Sequence, residues 1–154
     1  MMSDRKQRTP PLGRDEYETL AAFRYALRRF LTFSEAAAAD VGLASQQYQA
    51  LLAIKGSGRD SMTIRELARQ LLIKHNSAVG LVDRLENAGL VTRRVAPEDR
   101  RKVNLRLTAR GTRIFERLAS AHREELRRIG PELAEFLHYF SRHGERELTQ
   151  GAQK

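Results

Sequence analysis

The sequence predicts a mainly α chain with one small β-hairpin, an α+β arrangement, on three observations. Long segments repeat apolar residues at helical spacing, a stretch from residue 90 to 107 turns β-branched and alternating, and the net charge gathers around that stretch. With 154 residues, 6% aromatic and 31% charged, the chain can bury a core made of helices with narrow apolar stripes rather than a β-sandwich.

Taken in order, Asp15 to about Ala39 reads as a helix with Leu20, Phe23, Leu27, Phe30 and Leu31 on one stripe, stopped by Gly42. Ser45 is placed to cap a second helix containing Tyr48, Leu51, Leu52 and Ile54, closed by Lys55-Gly56-Ser57-Gly58. Thr63 and Glu66 have capping-box spacing, and Ile64, Leu67, Ala68 and Leu71 share a face, so a helix covers Thr63 to Leu71. After a break at Leu72 to Lys74, a further helix reaches about Ala88 with Ala78, Leu81, Val82 and Leu85 on its inner face, and Gly89 stops it. Leu90 to Val95 forms a strand, Ala96-Pro97-Glu98-Asp99 a turn, and Val103, Leu105 and Leu107 alternate with Asn104 and Arg106 as a second strand. Thr108 caps a helix with Ile114, Phe115, Leu118, Leu126 and Ile129, and Gly130-Pro131 should end it and start a last one with Leu133, Phe136, Leu137 and Phe140.

Two helices followed by a hairpin make a winged helix-turn-helix, here between N- and C-terminal helical arms. The expected organisation is a flexible basic tail over 1–14, an N-terminal dimerisation arm over 15–44, the winged lobe over 45–108, helices completing the dimerisation region over 109–142, and a flexible tail over 143–154. The arms carry more apolar stripe than one small lobe can cover, so a two-fold homodimer is expected.

Charge points to the hairpin. Val91 to Arg113 holds 8 basic and 2 acidic residues, and the first 14 residues hold 4 and 1, which together account for the whole net charge of +9. A concentrated basic hairpin beside an exposed helix is the footprint of a double-stranded DNA binder. The alternative is a helical dimeric interaction protein that lays its basic wing on an acidic partner. On the helix from about His75, the residues turned away from the apolar face are Asn76, Ser77, Gly80, Arg84 and Asn87. His75, Asn76 and Ser77 sit at its N-terminal end, where backbone donors favour phosphate and base edges are within reach. Arg84 suits guanine and Asn76 adenine. On the wing, Arg94, Arg100, Arg101 and Lys102 are the DNA-binding candidates, with Arg101 suited to a narrow minor groove. Asp99 is expected to orient a guanidinium, that of Arg101 or Arg93, by a paired hydrogen bond.

No enzyme motif is present, neither a glycine-rich phosphate loop nor a nucleophile or zinc-protease signature, so no catalytic residue and no cofactor is expected. Zero cysteines exclude disulfides and thiol chemistry, and His122, His138 and His143 beside Glu124 and Glu125 lack convincing metal spacing. The absence of any membrane-length apolar run or secretion signal leads to the expectation of a cytoplasmic protein with no membrane partner.

The runs Leu67-Ala68-Arg69-Gln70-Leu71, Ser77 through Glu86, Gly89-Leu90-Val91, the wing pair Asp99 and Arg101, and Leu107-Thr108-Ala109-Arg110-Gly111 resemble the MarR family of bacterial transcription regulators over roughly residues 15 to 142. That resemblance implies a homodimeric repressor on a pseudo-palindromic operator, released by a small aromatic or anionic ligand. The ligand's pocket would lie where the arms meet the winged lobe, with Phe33, Tyr48 and His122 as its candidate residues. Two positions depart from the family pattern: Leu72 stands where many members have glycine, and Gly80 where a larger side chain is frequent.

Overall fold

The computed structural model describes residues 11–151 apart from Asp60 and Glu98, with side chains up to Arg142. Its elements are α1 (Arg14–Asp40), α2 (Ser45–Lys55), β1 (Met62–Thr63), α3 (Ile64–Gln70), α4 (His75–Asn87), β2 (Val91–Ala96), β3 (Asp99–Leu107) and α5 (Ala109–Gly151). The expected α+β class is the observed one. Residues 1–10 of the first expected tail and 152–154 of the second lie outside the described residues.

The chain divides into two compact units. One is Leu31–Leu126; the other joins the described residues up to Phe30 with those from Arg127. In the first, Leu51, Ile54, Leu67, Leu81, Leu85, Leu90 and Leu105 are fully buried in a single core that also takes in Tyr48 and Phe115. Periodicity marked most of these positions, since each falls on the inward face of its helix or strand. In the second, Ala26 and Ile129 are buried, Phe23 meets Phe136 edge-on at 6.1 Å, and Arg29 approaches Glu132 at 3.9 Å. No helix among the described residues is long and apolar enough to cross a membrane.

Four details differ from the sequence reading. The hairpin is part of a three-stranded antiparallel sheet of order β1-β3-β2, because Met62 and Thr63 pair with Leu105 and Asn104. Ala44, not Ser45, is the N-cap of α2; its N–H donates to Gln47 Oε1 at 2.9 Å, so a glutamine reaching back does the work expected of the serine. Helix α5 also continues through Pro131 without interruption. An internal proline costs about 3 kcal/mol, but Ile129, Leu133, Phe136 and Phe140 continue one apolar face across it. Full burial of Ile129 contributes about 1.5 to 3 kcal/mol, and the half-buried Leu133, Phe136 and Phe140 add to it, which together offset the lost bond. The same helix continues to Gly151, past residue 142 where a tail was expected.

Candidate nucleic-acid interface

Helix α3 opens with the expected capping box. Glu66 N–H donates to Thr63 Oγ1 at 3.2 Å, and Thr63 N–H donates to Glu66 Oε2 at 2.7 Å. These bonds hold the Glu66 carboxyl below its ordinary pKa, the backbone bond from Thr63 first and its hydroxyl second. After α3 the backbone turns at Leu72 with φ of 55°, and the chain enters α4. There Ala78, Leu81, Val82 and Leu85 are buried, while His75, Asn76, Ser77 and Arg84 are exposed. Gly80 is half-buried, and a Cβ added there would lie 3.6 Å from Arg84 Nη1, so the arginine folds over the face that the glycine leaves open. The structure therefore brings His75, Asn76, Ser77 and Arg84 onto one accessible side and makes Gly80 the floor beneath Arg84.

The wing follows through a compact junction. Gly89 adopts φ of 68°, Thr108 Oγ1 donates to Gly89 O at 2.7 Å, and Thr108 N–H donates to Leu90 O at 3.0 Å. The same hydroxyl accepts from Gly111 N–H at 2.9 Å, which caps α5 as the sequence suggested. What the sequence reading missed is why residue 111 is glycine: a Cβ there would sit 2.1 Å from Leu90 O. The spacing Thr-x-x-Gly was visible, but only the fold reveals which carbonyl fills the space.

Arg93 and Asp99 do not interact as expected. The Arg93 guanidinium donates to Asp83 Oδ1 at 2.5 Å and to Glu86 Oε2, both on α4, and its side chain is 27% exposed. Those two bonds, Asp83 first, raise its pKa further above the ordinary arginine value. The physical reason is register. Arg93 pairs with Leu105 in mid-strand and shares the inward face of the sheet, whereas Asp99 pairs with Ala96 at the turn. Asp99 Oδ1 instead accepts the backbone N–H of Arg101 at 2.9 Å, so it shapes the main chain that carries Arg101 rather than gripping a guanidinium. Arg100, Arg101 and Lys102 are exposed beside the turn, in the part of β3 where the register shifts after Val95 and Val103. Asp83 and Glu86 were the missed residues. Their i, i+3 spacing put them on one helical face, but no local pattern says which arginine they meet.

Phe33, Tyr48 and His122 do converge, within the first unit. His122 is 6% exposed and Tyr48 4%; their rings stack at 4.4 Å, and Phe33 meets His122 edge-on at 5.5 Å. His122 Nδ1–H donates to Leu118 O at 2.8 Å, and Nε2 shares a hydrogen bond of 2.8 Å with Ser34 Oγ. Burial raises the pKa of the Tyr48 phenol. The rings fill their own space, so this is packed core with a polar handle. Ser34 was not anticipated, because a serine on an apolar stripe gives no signal of its partner.

An exposed helix after a tight turn, locked by an ion triad to a basic hairpin, defines a winged helix-turn-helix fold. The sequence profile of the MarR family matches residues 41–102 of the chain. It is 33% identical over 76 residues to the HTH-type transcriptional regulator FarR of Neisseria gonorrhoeae, a stretch that covers 49% of this chain and 51% of FarR. The chain thus spans about half the length of that relative. Among solved structures, AbsC of Streptomyces coelicolor superposes with a TM-score of 0.69 at 24% identity, covering 93% of this chain and 99% of AbsC. A mutant MepR of Staphylococcus aureus, bound to an oligodeoxyribonucleotide, gives 0.61 at 20% identity over 89% and 98%. These two likenesses establish the fold, and the named relatives are regulators rather than enzymes.

Proposed function

We propose that this protein is a ligand-responsive repressor that binds a pseudo-palindromic operator as a homodimer. The observation that carries the reading is the Arg93 triad. It makes α4 and the wing one rigid body, so that Asn76, Ser77 and Arg84 can enter a major groove while Arg101 reaches the adjacent minor groove. The oligodeoxyribonucleotide held by the MepR mutant supports the same use of the fold. Leu20, Tyr25 and Leu137, exposed on the second unit, support a partner copy that covers them. The aromatic ring cluster around His122 supports an aromatic or anionic ligand that exchanges places with a packed ring and takes the Ser34 and His122 hydrogen bonds.

The experiment is selection of bound sites from random duplexes, followed by a gel shift with the selected site. Two chains per duplex and inverted half-sites are expected. Asn76→Ala should weaken the selected site by about 1 to 3 kcal/mol and leave random DNA nearly unaffected. Equal loss on both DNAs would make Asn76 a phosphate contact, and no enrichment in the selection would remove the reading.

A further inference from the structure

We propose that the outer face of the wing is a second phosphate-binding surface, which holds the DNA backbone just outside the operator. The inference rests on the DNA-binding reading above and deepens it, giving Arg94, already a candidate on the wing, a shared role with Arg106, which that reading does not use.

Strand alternation sorts the hairpin into two faces. On the inner face, Val91 and Leu105 are buried and Arg93 is neutralised by Asp83 and Glu86. Thr92 pairs with Arg106 and Arg94 with Asn104, which places these four on the opposite face. Together with Thr108 they line an open groove of about 640 Å³. Both arginines are exposed, and among the described residues neither Arg94 nor Arg106 forms an ion pair. The inner arginine therefore belongs to the fold, while the outer two keep their charge available to a partner. Threonine and asparagine beside them add neutral donors of the kind that share phosphate oxygens with arginine.

The groove is open and runs along the strands, which suits a linear polyanion better than a small enclosed one. Its position relative to the tip selects DNA as that polyanion. Arg94 stands two residues from the Ala96 and Asp99 closing pair, roughly 7 Å at the strand rise of about 3.3 Å per residue. A minor groove is about 7.5 Å deep, so a tip on its floor brings Arg94 level with the rim phosphates. Arg106 lies one diagonal cross-strand step further, about 7 to 8 Å, and on the side turned away from α4. The strand that leaves the operator passes this face. Contacts to it add affinity without adding sequence preference.

The test compares two duplexes, the selected site alone and the same site extended by about one helical turn, roughly 10 base pairs, at each end. Two arginines on each of two wings neutralise about four more phosphates, so the wild type should show a salt slope steeper by about 3 to 4 on the long duplex. Between 200 and 50 mM salt, the advantage of the long duplex should then grow roughly 100-fold. Arg94→Ala/Arg106→Ala, checked for an unchanged melting temperature, should lose that difference between duplexes, and scrambling the flanks should leave the wild-type difference intact. Equal slopes on both duplexes for the wild type, or a difference retained by the double variant, overturns the surface while the operator reading stands. A difference lost on scrambling makes it a base contact and also overturns it. Failure of the wild type to bind either duplex removes the operator reading and this inference with it.

Discussion

Helices α3 and α4 end with the same hydrogen-bond pattern but with different residues at its centre. At the end of α3, Ile73 N–H donates to Ala68 O at 3.0 Å and Leu72 N–H to Arg69 O at 3.2 Å. At the end of α4, Leu90 N–H donates to Leu85 O at 2.9 Å and Gly89 N–H to Glu86 O at 2.8 Å. Both are caps closed by a left-handed residue. Glycine adopts that conformation freely, whereas a leucine there costs about 1 to 2 kcal/mol, and Leu72 recovers nothing by burial because it is 92% exposed. The α4 end is built without strain and then surrounded by Thr108 and Gly111. The α3 end is strained and open to solvent. The difference teaches that the hydrogen-bond pattern, set by the helices on either side, dictates the backbone, and that the residue at its centre need only survive it.

The strongest way to break the α4 end is through its neighbour. Gly111→Ala forces a Cβ to within 2.1 Å of Leu90 O, a backbone atom already fixed by the Thr108 N–H. Alanine's helix propensity, worth up to about 1 kcal/mol, cannot offset that overlap. A loss of about 3 kcal/mol or more in urea unfolding is expected, with wing and α4 shifting together. A variant of wild-type stability would mean that the α5 entry is not held against Leu90.

The next pair of changes tests the comparison directly. Gly89→Leu should destabilise by about 1 kcal/mol, purely through the backbone, because a Cβ at that position meets nothing within 4 Å. Leu72→Gly should stabilise by about 0.5 to 1 kcal/mol, the left-handed penalty removed less the entropy that glycine loses on folding. Thermal unfolding of both single variants and of the double variant reads the result, and the double should fall near wild type because the sites share no partner. A destabilised Leu72→Gly would show that the leucine makes a contact that outweighs its strain.

These same residues show what was legible in advance. Apolar periodicity revealed α1 through α4, the two stretches that α5 joins, and the core positions Leu67, Leu81, Leu85 and Leu105, because burial on one face leaves a periodic record in the chain. Gly89 was legible as a stop from local backbone chemistry, and Leu72 as part of a break, where the resemblance supplied the comparison with glycine. The pairing of Arg93 with Asp83 and Glu86, the two-residue strand β1 and the bond from Ser34 to His122 were not, because each joins residues distant along the chain by a choice among equivalent partners. Pro131 misled for a related reason. Its local preference to break a helix is overridden by an apolar face that only the folded second unit covers.

The smallest expected effect contrasts the two ends of α3. Its end at Leu72 is closed by backbone groups alone, which do not titrate in the physiological range, whereas its start depends on the ionised Glu66. The Glu66 pKa is lowered in the folded chain, by the Thr63 backbone bond first. A depressed carboxyl pKa contributes stability that is fully present above the unfolded value of about 4.3 and is lost as pH falls through the lower folded value. Glu66→Gln keeps the geometry of the capping box and removes the titration. The difference in stability between wild type and this variant should therefore be nearly constant from about pH 7 to 5 and shrink as pH falls from about 4.3 through the lower folded value. Its size should stay below about 1 kcal/mol, because the Glu66 side chain is 42% exposed and both it and Arg59, 3.5 Å away, are screened by solvent. Taking the difference cancels the other carboxylates, which titrate alike in both proteins. A difference that persists unchanged to pH 3 would mean that the charge of Glu66 adds nothing to the cap and that its hydrogen bonds alone hold the start of α3.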